Sequence, residues 1–417
     1  MVESSYDAII IGAGVSGLVA AQELEAYHLK TLVIEADSHV GGRLKTDHYQ
    51  GFTLDQGFQV ILSAYPMVQK HLDLKELNTR SFGSGALCFD AKQHFRVLDV
   101  NRKASALFTM LFSPVGGISD KLKMAKLRSE VLTKSEAEIF EEKETSTLDF
   151  LKSYGFSDRI IQRFFKPFFG GIFLEPELNT SSRQFKFIFK MFSLGEAVVP
   201  EKGMQSVAEQ LQAKLKSTEF RYNTKVKEIK GQEIHLDDGD QIKAKQIIIA
   251  CDPAEILPQY QSDLEWNTTT QYYFKGPKGK LHQDLIALSF EADALISNVA
   301  CLSRIQVSYG DQDNALYSVS LRHTPNSSDT KIIEGIKSEL SALIGSEADH
   351  WEFIRSYRIA KALPVLNNLA YERAFEESRI QDGVYLAGDH LLNPSLNAAM
   401  LSGEMAAKAL ILNHKNS

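Results

Sequence analysis

Residues 8–24 read AIIIGAGVSGLVAAQEL. The run Asp7-Ala8-Ile9-Ile10-Ile11 is short, apolar and rich in isoleucine, so it reads as a strand buried on both faces, as in a parallel sheet. Three glycines follow, each with its own task. Gly12 makes the tight turn out of the strand. Gly14 lets backbone approach a ligand, and Gly17 lets the next helix lie close to the strand. That helix is expected over roughly Val15 to Leu29, its positive dipole end turned toward a phosphate. A second buried strand, Thr31-Leu32-Val33-Ile34, ends in Glu35, close to the roughly 20-residue offset at which an acid meets a ribose. Strand, glycine turn, helix, strand and acid together mark a dinucleotide site.

The next residues narrow the dinucleotide. HVGGRLKT (39–46) places Gly41 and Gly42 where backbone approaches a ligand, and Arg43 where a guanidinium fork holds phosphate. Asp55-Gln56-Gly57-Phe58-Gln59 is a turn with a further close-approach glycine. In this combination the sequence resembles the superfamily of flavin amine oxidases, phytoene desaturases and protoporphyrinogen oxidases. The resemblance implies that Gly12, Gly14, Gly17, Glu35, Gly41, Gly42, Arg43 and Gly57 are FAD-binding residues.

Two more segments carry the resemblance. GVYLAGDHLLNPSLNAAMLSGEMAAKAL, from Gly383, reads as a strand (Val384 to Ala387), a Gly388-Asp389 turn and a helix rich in small residues. By the resemblance, Asp389 holds the ribityl hydroxyls. The helix start at Leu396, Asn397 and Ala398 turns its amides to the flavin pyrimidine ring, where a positive dipole end favours the anionic reduced form. From Tyr222 the sequence alternates like a hairpin with its turn at Asp238-Gly239, then enters a buried strand, Ile247 to Ala250. The resemblance places Val226 against adenine. The expected fold class is therefore α/β: a Rossmann-like FAD-binding domain of the glutathione-reductase type, with a discontinuous mixed α+β substrate domain. The expected division is 1–66, 195–255 and 365–417 for FAD, and 67–194 and 256–364 for substrate.

Composition sets the outer limits. With 417 residues, a net charge of -7 and no long basic run, the chain fits two domains and no nucleic-acid partner. Three separated cysteines form no CxxC pair, and no secretory signal opens the sequence, so a reducing, cytoplasmic setting is expected. No cysteine lies beside the C-terminal helix, so FAD is expected to be noncovalent. The expected partner is a hydrophobic small molecule. The apolar stretch ALFTMLFSPVGGI, from Ala106, reads as a core helix and leaves peripheral membrane contact open. From Asn101 to Leu194 the reading is mostly helical.

Within that region RFFKPFFGGIF (163–173) and RQFKFIFKMF (183–192) concentrate phenylalanine, a residue present 24 times against 2 Trp. Core packing and an apolar substrate cavity are the two readings. YRIAKALPVLNN, from Tyr357, carries Lys361, which the resemblance brings toward flavin N5 through a water. His390 is the other catalytic candidate. The leading function is hydride transfer from an apolar or amphipathic substrate, desaturase-like or protoporphyrinogen-oxidase-like, to flavin N5. A flavin amine oxidase, a redox-neutral FAD-dependent isomerase and a flavin-free protein that binds prenylated GTPases are the alternatives.

Overall fold

The computed structural model describes residues 6–98, 114–257, 264–311 and 313–416. The Ala106 stretch lies outside these residues up to position 113. Among the described residues no helix is long and apolar enough to cross a membrane.

The strand Ala8–Ile11 is the centre of a six-stranded sheet. On one side lie Thr31–Ile34 and then Glu219–Arg221; on the other lie Ile247–Ile249, Val384–Leu386 and finally Arg379–Gln381. All pairs are parallel except the last. Strand periodicity divides the side chains between two cores. Ile10, Val33, Ile248 and Tyr385 face the helices Val15–Ala26 and Leu396–Asn416. Ile9, Ile11, Leu32, Ile34, Ile247 and Ile249 face a three-stranded antiparallel layer, Val226–Lys230, Glu233–Leu236 and Gln241–Lys243. Burying one such isoleucine contributes about 1.5–3 kcal/mol, which explains why the sequence alternates poorly here: both faces are core. The sequence predicted a hairpin where three strands stand. Gly231 supplies a turn in addition to the one at Gly239.

A seven-stranded sheet forms the second body. Its order is Glu352–Pro364, Trp266–Gly276, Ala315–Leu321, Ile296–Cys301, Ile286–Ser289, Gly85–Phe89 and His94–Leu98. It is antiparallel except where Ile286–Ser289 runs alongside Gly85–Phe89. The helix Asp329–Ile344 covers one face through Ile332, Ile336 and Leu340, next to a Tyr317–Trp351 stack at 3.9 Å.

A helical body, residues 118–194, completes the chain. Its segment Ile161–Phe165 is a wide π turn between Asp158–Ile160 and Lys166–Phe173. Pro167 accounts for it: proline lacks the N–H that the Arg163 carbonyl would accept from, and its ring crowds that carbonyl.

Candidate active site

The crevice opens at the carboxyl ends of Ala8–Ile11 and Ile247–Ile249, where the strand order reverses. Its floor is glycine backbone. Gly12 has φ +101°, and a Cβ there would stand 3.1 Å from the Ala250 carbonyl oxygen. Gly14 ends the turn and caps the helix Val15–Ala26 without a side chain. Gly14 also forms a parallel bridge with Gly41, and a Cβ on Gly42 (φ +59°) would meet the Gly14 Cα at 3.2 Å. These three glycines let two loops touch at the helix N-terminus. Gly17 does not line the cavity. Its missing Cβ would lie 2.1 Å from the Gly12 carbonyl oxygen, so its task is packing of helix on turn.

Charged groups stand around this floor. Glu35 is buried at the end of its strand and accepts from the Ala13 amide at 2.6 Å and the Asp37 amide at 2.9 Å. Arg43 and Asp389, 346 residues apart in sequence, form a bidentate pair at 3.0 and 2.5 Å. Burial works against the Arg43 charge, but Asp389 outweighs it and raises the guanidinium above its ordinary value. Arg43 also donates to the Ala362 carbonyl and lies 5.4 Å from the Trp266 ring centre. Gln59 donates to the Arg43 carbonyl at 3.0 Å, while its own Oε1 is buried without a partner. Gly57 and Val226 line the same hollow.

This hollow is continuous with a second one. The joint cavity measures about 1170 Å³, above the usual range of about 300–1,000 Å³ for a single ligand. Away from the glycines, its wall is phenylalanine. The two aromatic runs of the sequence split by helical face. Phe165, Phe185 and Phe187 are fully buried, and Phe165 packs at 5.8 Å from Phe185. Phe164, Phe168, Phe189 and Phe192 are half-buried and line the cavity, with Phe164 stacked on Phe168 at 5.5 Å. The two runs therefore supply both core packing and cavity wall in one helical body.

The C-terminal segment is more constrained than its sequence suggests. Asp389, Gly388, Leu396 and Ala399 line the cavity. Asn397 and Ala398 do not. The Asn397 Oδ1 accepts from the Met67 amide at 3.0 Å, and Ala398 packs with Leu392 and Met405. Successive helix residues point about 100° apart, so Ala398 and Ala399 face different ways. Ser395 caps this helix by accepting from the Ala398 amide at 3.0 Å. The small residues do allow close packing: a Cβ on Gly403 would lie 2.3 Å from the Ser16 carbonyl oxygen.

The two catalytic candidates differ in state. Lys361 is half exposed, and its Nζ is 2.8 Å from Asp252 and 2.6 Å from Glu255. Burial works against its charge, yet these carboxylates raise its pKa, so it is held as an ammonium. Burial, helped by Arg43, lowers the His390 pKa despite Asp389, which favours the neutral imidazole; its buried Nε2 has no partner. Both residues line the cavity. Sequence reasoning missed Trp266, Gln59, Asp252 and Gln184, which also line it. Trp266 carried a weak signal as one of 2 tryptophans; Gln59 and Gln184 sat inside segments read for their glycine and their phenylalanines, and Asp252 carried no signal.

Residues 15–411 match the family described as "Flavin containing amine oxidoreductase". The chain belongs to this family. As a flavin-containing amine oxidoreductase it is an FAD-dependent oxidoreductase. It is 23% identical to a 15-cis-phytoene desaturase of Solanum lycopersicum, over 98% of this chain and 78% of that one. It is 42% identical to protoporphyrinogen oxidase 2 of Arabidopsis thaliana over 64 residues, which are 15% of this chain and 13% of that protein. Its fold matches cyclohexylamine oxidase from Brevibacterium oxydans with a TM-score of 0.70, 14% identity and coverage of 99% and 100%. The site of this flavin amine oxidoreductase fits a dinucleotide chemically. Gly12, Gly41 and Gly42 leave no room for a Cβ against neighbouring backbone, the N-terminus of the helix Val15–Ala26 lines the hollow, and an arginine and a buried carboxylate stand beside it.

Proposed function

We propose that the chain oxidises an apolar or amphipathic small molecule, desaturase-like or protoporphyrinogen-oxidase-like, and that FAD is bound noncovalently in the glycine crevice. One observation carries the reading: the crevice opens without a partition into a chamber walled by Phe164, Phe168, Phe189 and Phe192. Gly12, Gly14, Gly41, Gly42 and Arg43 would hold the pyrophosphate, Glu35 a ribose, Val226 the adenine, and Asp389 the ribityl hydroxyls. The flavin, when bound, supplies the hydride acceptor. The chain's own residues orient the substrate and exclude water. The phenylalanine rings offer a dry, apolar wall, and His390, whose burial disfavours its charged form, offers a nitrogen without a partner at its polar end. Lys361, held by Asp252 and Glu255, serves better as a fixed positive charge than as a base. An amine substrate is less well supported, because the ring of Trp266 that lines the cavity already has Arg43 over it.

The domain division proposed from the sequence has support of the same kind. Every strand of the parallel sheet comes from 1–66, 195–255 and 365–417, and every strand of the seven-stranded sheet from 67–194 and 256–364. Peripheral membrane contact rests on Ile118 and Leu122, exposed on a helix whose Met124 and Ala125 line the cavity.

The test is anaerobic mixing of the yellow protein with a panel of polyenes, porphyrinogens and amines. Bleaching by a polyene or porphyrinogen and not by amines is the expected result. Bleaching by amines alone would overturn the substrate class, and a colourless protein that takes up no FAD would overturn the site.

A further inference from the structure

The cavity wall carries polar groups at several points, among them Arg128, Lys166 and Gln184, and one polar strip lies on the seven-stranded sheet. Ser320 and Arg322 are two residues apart on one strand end, so they share a face. Asn298 pairs with Ser320 across the sheet and accepts from its hydroxyl at 3.1 Å. All three line the cavity opposite the helix Lys166–Phe173, where Gly171 leaves room: a Cβ there would lie 3.6 Å from the Asn298 Nδ2.

Arg322 is the unusual member. Its guanidinium donates only to backbone carbonyls, Ser289 at 3.1 Å and Ala292 at 3.5 Å. The Nε is buried and has no acceptor. Among the described residues no carboxylate stands within ion-pair distance of it. The acids nearby are engaged or peripheral. Glu339 spends its oxygens on the Leu295 and Ile296 amides at 2.6 and 3.0 Å, and Glu177 pairs with Lys166 at 2.7 Å. Glu291 and Asp293 are exposed. Burial lowers the Arg322 pKa against the raising effect of these four acids. A partly buried guanidinium with no carboxylate beside it is costly, and a bound oxyanion offsets that cost. The Nη hydrogens not spent on Ser289 and Ala292 leave the guanidinium able to pair with an oxyanion.

We propose that Arg322 is an anion subsite in the chamber wall, and that the substrate carries a carboxylate or similar oxyanion on its apolar body. The proposal rests on the chamber being the substrate site, and it narrows that substrate to an amphipathic acid. Arg322 acts on specificity, since it holds the substrate at a point on the chamber wall away from the glycine floor.

Two fluorescent probes that differ by one charge test it without turnover: 8-anilinonaphthalene-1-sulfonate and its neutral parent N-phenyl-1-naphthylamine. Both are titrated into the flavin-loaded protein, wild type, Arg322→Met and Arg322→Lys. The sulfonate is expected to bind Arg322→Met about tenfold or more weakly, with the neutral probe within about twofold of wild type. Arg322→Lys should recover part of the sulfonate affinity, because it restores the charge without the fork. Equal loss of both probes would assign Arg322 a structural role and overturn the subsite. So would unchanged sulfonate binding, or a wild type that binds only the neutral probe. A wild type that binds neither probe would overturn the chamber itself and the substrate reading with it. If the Met variant fails to fold, the Lys variant alone decides: a several-fold loss confined to the sulfonate supports the subsite, and no selective loss overturns it.

Discussion

The glycine crevice is made of backbone, and the chamber beside it of side chains. In the crevice, Gly42 lies against Gly14 because Gly42 has no Cβ, and the amides of a helix N-terminus point at what lies above. In the chamber, Phe164 and Phe168 are exposed to the hollow while Phe165, one residue away, is sealed in the core. The crevice therefore tolerates almost no substitution and says little about substrate. The chamber tolerates changes of shape, and those changes should alter which molecule is oxidised.

The largest effect is expected from Gly42→Val. The residue sits at φ +59°, where a β-branched side chain is strained, and its Cβ would meet Gly14. The purified variant should retain its far-ultraviolet circular dichroism and lack the flavin absorbance bands. A fully yellow variant would show that the crevice is not backbone-limited. Next is Phe165→Ala, which removes a fully buried ring lying 4.9 Å from Phe156. Chemical denaturation should show a loss of about 3–5 kcal/mol, with flavin content per folded molecule unchanged.

Glu404 tests the scaffold beneath the crevice. It lies buried on the C-terminal helix with His71 at 2.6 Å, Lys70 in contact and Lys408 at 3.2 Å. Burial pushes its pKa up, but the hydrogen bonds from His71 and Lys70 prevail and hold it down to about 2. Its unfolded value is ordinary, about 4.3. The folded carboxyl therefore binds protons less readily, so its stabilisation is complete above about pH 4.3 and is lost as pH falls from there toward 2. Glu404→Gln should cost on the order of 2–3 kcal/mol at neutral pH and flatten the acid limb of melting temperature against pH. An acid limb unchanged in the variant would remove Glu404 from this role.

Arg43→Ala should weaken FAD about tenfold to a hundredfold in a titration, and more so at low salt, where the charge is least screened. Equal affinity at every ionic strength would take Arg43 out of the phosphate site. The smallest stability effect is expected from Phe168→Ala, about 1–2 kcal/mol, since its ring is only half-buried. Flavin occupancy should stay full while the rate of substrate bleaching falls. If Phe168→Ala instead empties the flavin site, crevice and chamber are not separable.

Much of the crevice is legible in the sequence because its demands are local. A turn that needs φ above zero, or a contact that forbids a Cβ, selects glycine at that position whatever the rest of the chain does. The spacing of Gly12, Gly14 and Gly17, the Gly41-Gly42-Arg43 segment and the strand before Asp389 follow from such demands. So does the run of isoleucines that marks a strand buried on both faces. Tertiary structure decided everything that depends on how helices and sheets dock. It turned Phe164 and Phe168 to the cavity and Phe165 to the core, and set Ala399 rather than Ala398 against the hollow. It brought Arg43 to Asp389 across 346 residues, tied Lys361 to Asp252 and Glu255, and left the Arg322 Nε without an acceptor. A side chain's direction and its partners depend on the packing of distant segments, and neither motif nor periodicity encodes that packing.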